Sequence, residues 1–111
     1  MKHINTTRKQ LFAPFKVLAT AESGQAAMMV LKPGESTGEP DNEHPQSEQW
    51  LYVIFGNGRL KAGTRTITIL QGSLVLIEKG ETHQVSNNGR RPLITLNFYA
   101  PPAYNAEGKP K

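Results

Sequence analysis

Gly72-Ser73-Leu74-Val75-Leu76-Ile77-Glu78-Lys79-Gly80-Glu81-Thr82-His83-Gln84-Val85-Ser86-Asn87 is the stretch on which the fold turns. Gly72 breaks the preceding segment, and Ser73 to Ile77 reads as a short apolar strand rich in residues that suit a pleated surface. Lys79-Gly80 supplies a turn, because glycine enters left-handed backbone without steric cost. His83 to Ser86 then reads as a second strand that runs into Asn87-Asn88-Gly89, a further turn signal. A histidine therefore opens a strand directly after a tight turn.

The same alternation of short strands and turns continues in both directions. Upstream lie Phe15 to Ala19, Gln25 to Leu31 and the strongest strand signal, Trp50-Leu51-Tyr52-Val53-Ile54-Phe55. Gly56-Asn57-Gly58 has the chemistry of a hairpin turn, followed by strands at Arg59 to Lys61 and Thr64 to Leu70. Leu93 to Ala100 is the last strand, closed by Pro101-Pro102. No 3.6-residue apolar period persists beyond a couple of turns. Eight short strands with frequent turns predict an all-β sandwich or barrel, and eight can enclose room for one small ligand.

With 111 residues, one domain and one core are expected. We place a single domain at 1–105 and expect 106–111, which are polar, to form a flexible tail. The apolar share of 37% suits a folded chain rather than a disordered one. The net charge of +4 is spread over both ends and Arg90-Arg91, with no basic run and no interleaved aromatics, so nucleic acid is not an expected partner. Between Glu35 and Glu48 the sign reverses, which favours a cation nearby. There is no cysteine, which excludes disulfides, thiolate metal sites and a cysteine nucleophile. Met1 to Asn5 lacks a signal-like apolar stretch, and no apolar run nears the roughly 18 residues of a membrane span. A cytoplasmic protein without a membrane partner is the expectation.

From Gly72 onward the spacing resembles the second motif of the cupin family: Gly, five residues, Pro, one residue, Gly, two residues, His, three residues, Asn. Gly72, Gly80, His83 and Asn87 all match, and Glu78 replaces the proline. The first cupin motif is His-X-His, three or four residues, Glu, six residues, Gly. Counting back from Gly56 puts Gln49 at the glutamate, His44 at the second histidine and Asn42 at the first. Pro45 after His44 supports that register, although a competing one starts the motif at His44 with Gln46 second. The opening glycine of the pattern does not match. Asn97 to Tyr104 is similar to the end of small bacterial cupins, so the resemblance spans about residues 25 to 104. It implies a double-stranded β-helix, the jelly-roll barrel.

The family holds a divalent metal inside the barrel with three histidines and a glutamate. The resemblance therefore implies a metal site of His44 and His83, assisted by Gln49 and Asn42, for a transition ion such as Zn, Fe, Mn, Ni or Cu. Two amides in place of a histidine and the carboxylate leave the ion's charge uncompensated. That deficit weakens the site and favours a small oxygenated or anionic metabolite that completes the shell. Any catalysis would be dioxygenase- or isomerase-like, with the metal as Lewis acid or oxygen-activating centre. The rival expectation is a metal-free module that hydrogen-bonds a sugar or another polar metabolite.

Strand alternation puts Gln49, Leu51, Val53 and Phe55 on the pocket face, with Val85 beside His83. The opposite face carries Trp50, Tyr52 and Ile54, a costly stripe to leave in water. Another sheet edge, the N-terminal segment or a second subunit can cover it, and a homodimer is the expectation.

Overall fold

Strand-forming residues in this chain come in runs of four to eight, each ended by a turn. The computed structural model describes residues 1–7, 13–37 and 45–111, and all its regular elements are strands. They are β1 (Phe15–Thr20), β2 (Gln25–Leu31), β3 (Glu48–Phe55), β4 (Gly58–Ala62), β5 (Arg65–Ile69), β6 (Leu74–Ile77), β7 (His83–Ser86) and β8 (Leu93–Ala100). A five-stranded antiparallel sheet has the order β1-β2-β8-β3-β6, and a three-stranded one the order β5-β4-β7. The all-β expectation holds. Among the described residues no helix is long and apolar enough to cross a membrane.

Odd-numbered residues of β2, β3 and β8 face inward, and the core forms where they meet β4, β5 and β7. Leu31, Leu51, Val53, Leu60, Ile69, Ile77, Val85 and Leu93 are buried together. Each such side chain stabilises the fold by roughly 1.5–3 kcal/mol when removed from water.

Two turns behave differently from their chemistry. Gly56-Asn57-Gly58 and Asn87-Asn88-Gly89 carry hairpin residues, yet neither joins paired strands. β3 pairs with β6 and β8, whereas β4 pairs with β5 and β7. Both turns instead carry the chain from one sheet to the other, and they pack on each other. A Cβ on Gly56, whose φ is +88°, would lie 2.3 Å from the Pro92 carbonyl oxygen, and one on Gly58 2.4 Å from that of Ser86. The glycines serve backbone contact between two crossings. Asn87 locks the same place: its Nδ2 donates to the carbonyls of Leu31 and Arg91, both at 2.8 Å, and its Oδ1 accepts from Gly89 N.

Residues 106–111, expected as a flexible tail, fold back in the structure. Tyr104 bridges Pro110, and Lys111 N donates to the Ala103 carbonyl. Asn105 organises this turn by accepting from Glu107 N and Lys109 N.

Candidate functional site

The residues that begin β3 and β7 and end β8 border one cavity of about 270 Å³. Its polar side chains come from both sheets: Gln49 from β3, Tyr99 from β8 and His83 from β7. Met29 and Leu31 of β2, Phe15 of β1 and Val85 of β7 give an apolar lining, and Tyr104 closes it from beyond β8. Thr37 completes the wall because its segment zips onto β7. Its N–H donates to the Val85 carbonyl at 2.8 Å, and its hydroxyl accepts from Val85 N at 2.9 Å.

Gln49 is only 4% exposed. Its Nε2 donates to Asn97 Oδ1 at 3.1 Å, and Asn97 Nδ2 in turn donates to the Thr95 hydroxyl at 3.0 Å. Gln49 Oε1 is buried with no hydrogen-bond partner among the described residues. Buried polar atoms are nearly always paired, since leaving one unpaired costs about 1–3 kcal/mol. Gln49 thus borders the cavity and carries an acceptor that no described residue satisfies.

His83 is equally buried, and burial lowers its pKa below 6.5, so the imidazole is neutral at pH 7. The hydrogen bond to the Glu81 carbonyl, with Nδ1 at 3.3 Å, and the Glu81 carboxylate pull the other way but do not reverse the shift.

The aromatic wall is built as a unit. Tyr104 packs on Phe15 with ring centroids 4.7 Å apart and edge-on to Tyr99 at 5.0 Å. Burial raises the Tyr99 phenol well above its ordinary 10.0, with Tyr104 adding to the effect, so both phenols stay protonated at neutral pH. Gln25 holds this wall in place. Its Oε1 accepts from the N–H groups of Ala103 and Tyr104, and its Nε2 donates to the Tyr104 carbonyl.

The structure thus brings together His83, Gln49 and Val85 of the residues expected at the site. Leu51 and Val53 face inward as alternation requires, but they are packed into the core and do not border the cavity. Phe55 is a correction: it is 38% exposed, outside the cavity. The register of β3 against β8 slips between Val53 and Phe55, and such a bulge turns the following side chain out of its alternating position. His44 and Asn42 lie outside the described residues. Phe15, Met29, Tyr99 and Tyr104 were not anticipated. The signal for Tyr99 was available, since pairing with Gln49 follows once β8 is laid beside β3.

The described lining offers a cation one imidazole and one amide oxygen, and no carboxylate. Among the described residues no three His, Cys, Asp or Glu side chains gather. Two neutral donors are half a tetrahedral set and do not by themselves fit a divalent metal centre.

Known proteins share this architecture. The family model described as "Cupin domain" matches residues 27–99. YrkC of Bacillus subtilis (strain 168) is 30% identical over 106 residues, covering 90% of this chain, which spans only 56% of that relative's length. The crystal structure of BH2720 from Bacillus halodurans superposes with a TM-score of 0.84 at 25% identity, covering 100% of this chain and 87% of that one. A double-stranded β-helix protein from Klebsiella pneumoniae subsp. pneumoniae MGH 78578 has a TM-score of 0.71 at 21% identity, covering 77% and 73%. Matched motifs, a jelly-roll barrel and a family model spanning most of the sequence agree: this chain belongs to the cupin domain family.

Proposed function

We propose that the protein binds a small, neutral, hydroxylated ligand in the barrel cavity. The observation that carries this reading is the orphaned Gln49 Oε1, an acceptor on a residue that lines the cavity. A ligand hydroxyl or amide N–H donating to it recovers the lost hydrogen bond. The ligand's apolar face would lie against Phe15, Tyr99 and Tyr104, whose rings offer area at low conformational cost. A volume of about 270 Å³ sits at the small end of ligand pockets. No charged side chain belongs to the described lining, and burial keeps His83 neutral, so the described residues offer an anion no counter-charge.

Thermal denaturation with a panel of neutral polyols and phenols, and their carboxylated analogues, tests this. A neutral binder at about one hundred times its Kd adds about 2.7 kcal/mol. For a domain of this size that raises Tm by roughly 10 °C. Gln49→Met should abolish the rise. Equal shifts in both proteins, or shifts confined to carboxylates, would refute the reading.

A divalent ion held by His44 and His83, with Gln49 and Asn42, is the second reading. It is favoured by the same free acceptor and by a neutral imidazole on the same cavity. Metal analysis of the purified protein and of His83→Ala separates the two. Stoichiometric metal that disappears in the variant supports the second reading, and metal-free protein that binds the neutral ligand supports the first.

A further inference from the structure

The two turns Gly56-Asn57-Gly58 and Asn88-Gly89-Arg90-Arg91 meet at the end of the barrel away from Gln49 and His83. With Thr68 of β5 they line an open cleft of about 520 Å³, larger than the barrel cavity. Apart from the glycines, every side chain in that lining donates hydrogen bonds: the Arg90 and Arg91 guanidinium groups, the Asn57 and Asn88 amides and the Thr68 hydroxyl. No carboxylate belongs to the described lining. Arg90 and Arg91 are exposed, and their guanidinium groups form no ion pair with a described residue. Arg59 stands opposite Thr68 in register and adds a third positive charge beside the cleft. Glu35, whose carbonyl accepts from Asn87 N at 2.8 Å, has its carboxylate turned to Lys32 N at 2.7 Å. The cleft is also held in shape by the backbone packing of Gly56 and Gly58. Gly89 has no positive φ, so its backbone does not ask for glycine, yet a Cβ there would stand 2.5 Å from Asn57 Oδ1. The missing side chain lets the Asn57 carboxamide lie against the turn that carries both arginines.

We propose that this cleft is a second binding site, independent of the barrel cavity, which takes the phosphate of a small phosphorylated polyol. A carboxylate is satisfied by the two-bond fork of one guanidinium. Two adjacent guanidinium groups with amide donors beside them suit the three oxygens of a phosphate monoester. The remainder of the ligand follows from the rest of the wall. Asn57, Asn88 and Thr68 can each donate and accept, which matches hydroxyl groups. No aromatic or aliphatic side chain belongs to the described lining, so a nucleobase or an acyl chain finds no apolar surface to rest on. The volume lies within the roughly 300–1,000 Å³ of small-molecule sites, which leaves room for the polyol beside its phosphate.

Backbone amide NMR shifts of the isotope-labelled chain, titrated separately with glycerol phosphate, inorganic phosphate and glycerol, decide the matter. Glycerol phosphate should move the amides of Gly56, Asn57, Gly58, Asn88, Gly89, Arg90 and Arg91 and saturate by about 10 mM, as a weak exposed site does. Inorganic phosphate should move the same amides with lower affinity, and glycerol should leave them in place. Arg90→Gln and Arg91→Gln should each weaken binding about tenfold, the worth of a charged hydrogen bond. Both positions are exposed, so the fold should survive either change. Lys109→Gln, which removes an equal charge from the segment beyond Tyr104, should bind as the wild type does. Unmoved cleft amides, or shifts confined to Gln49 and His83, would overturn the proposal. Equal weakening by Lys109→Gln would overturn it too, leaving only diffuse attraction to the net charge of +4. Inorganic phosphate bound as tightly as the ester would overturn the assignment to a polyol.

Discussion

Strand β3 joins two ends of the barrel that are built on opposite plans. At its Phe55 end the chain crosses three times between the sheets, from β3 to β4, from β5 to β6 and from β7 to β8; the first and last crossings touch through Gly56 and Gly58, and the Asn87 side chain makes three hydrogen bonds. At its Gln49 end there is a cavity, and an amide oxygen has no partner among the described residues. One end commits its buried Asn87 amide to the fold, while the other keeps a buried acceptor that the described residues do not satisfy. Substitutions at the two ends should therefore fail in different ways.

Gly56→Ala attacks the closed end and should have the largest effect. It combines left-handed backbone at φ +88° with a Cβ 2.3 Å from a carbonyl oxygen that belongs to the last crossing. Strain and overpacking each cost about 1–3 kcal/mol, so a loss of roughly 4 kcal/mol is expected from urea denaturation. A loss below about 1 kcal/mol would mean that the crossings can part.

Asn87→Ala and Gln49→Leu, compared side by side, sharpen the contrast. The first leaves the carbonyls of Leu31 and Arg91 and the Gly89 N–H without their side-chain partner, which should cost about 3 kcal/mol. The second exchanges one unpaired buried acceptor for another, since Asn97 Oδ1 loses its donor, and should cost about 1 kcal/mol, the worth of one hydrogen bond. Equal losses in urea would erase the distinction between the ends.

The smallest effect is set by pH. Burial keeps the His83 pKa in the fold below the 6.5 of the unfolded chain. The unfolded state therefore takes up the proton first as pH falls, and that proton uptake draws the equilibrium toward it. Stability should be full above pH 6.5 and decline as pH falls toward the folded pKa. His83→Gln should flatten this slope in denaturation profiles between pH 7 and 5, a window around the ordinary histidine pKa. An unchanged slope would assign it to other groups.

Local chemistry made the strands legible, and spacing around Gly72, Gly80, His83 and Asn87 made the family legible. What escaped is non-local. Gly56-Asn57-Gly58 announces a change of direction but not whether the next strand stays in the same sheet. The bulge after Val53 leaves the apolar run of β3 unaltered in sequence while it moves Phe55 outward. Leu51 and Val53 showed the correct face, but how far along the barrel the core ends and the cavity begins depends on residues from four other strands. The aromatic wall was hidden for the same reason, since Phe15 and Tyr104 are 89 positions apart and meet only in the fold.

Gln25 deepens the division between the ends. Because this amide anchors Ala103 and Tyr104 to β2, the part of the wall beyond β8 is held by side-chain bonds and ring packing instead of the strand ladder of the sheet. The segment after Pro102 is thus a panel set on the frame: it shapes the compartment through Tyr104 and belongs to none of the eight strands.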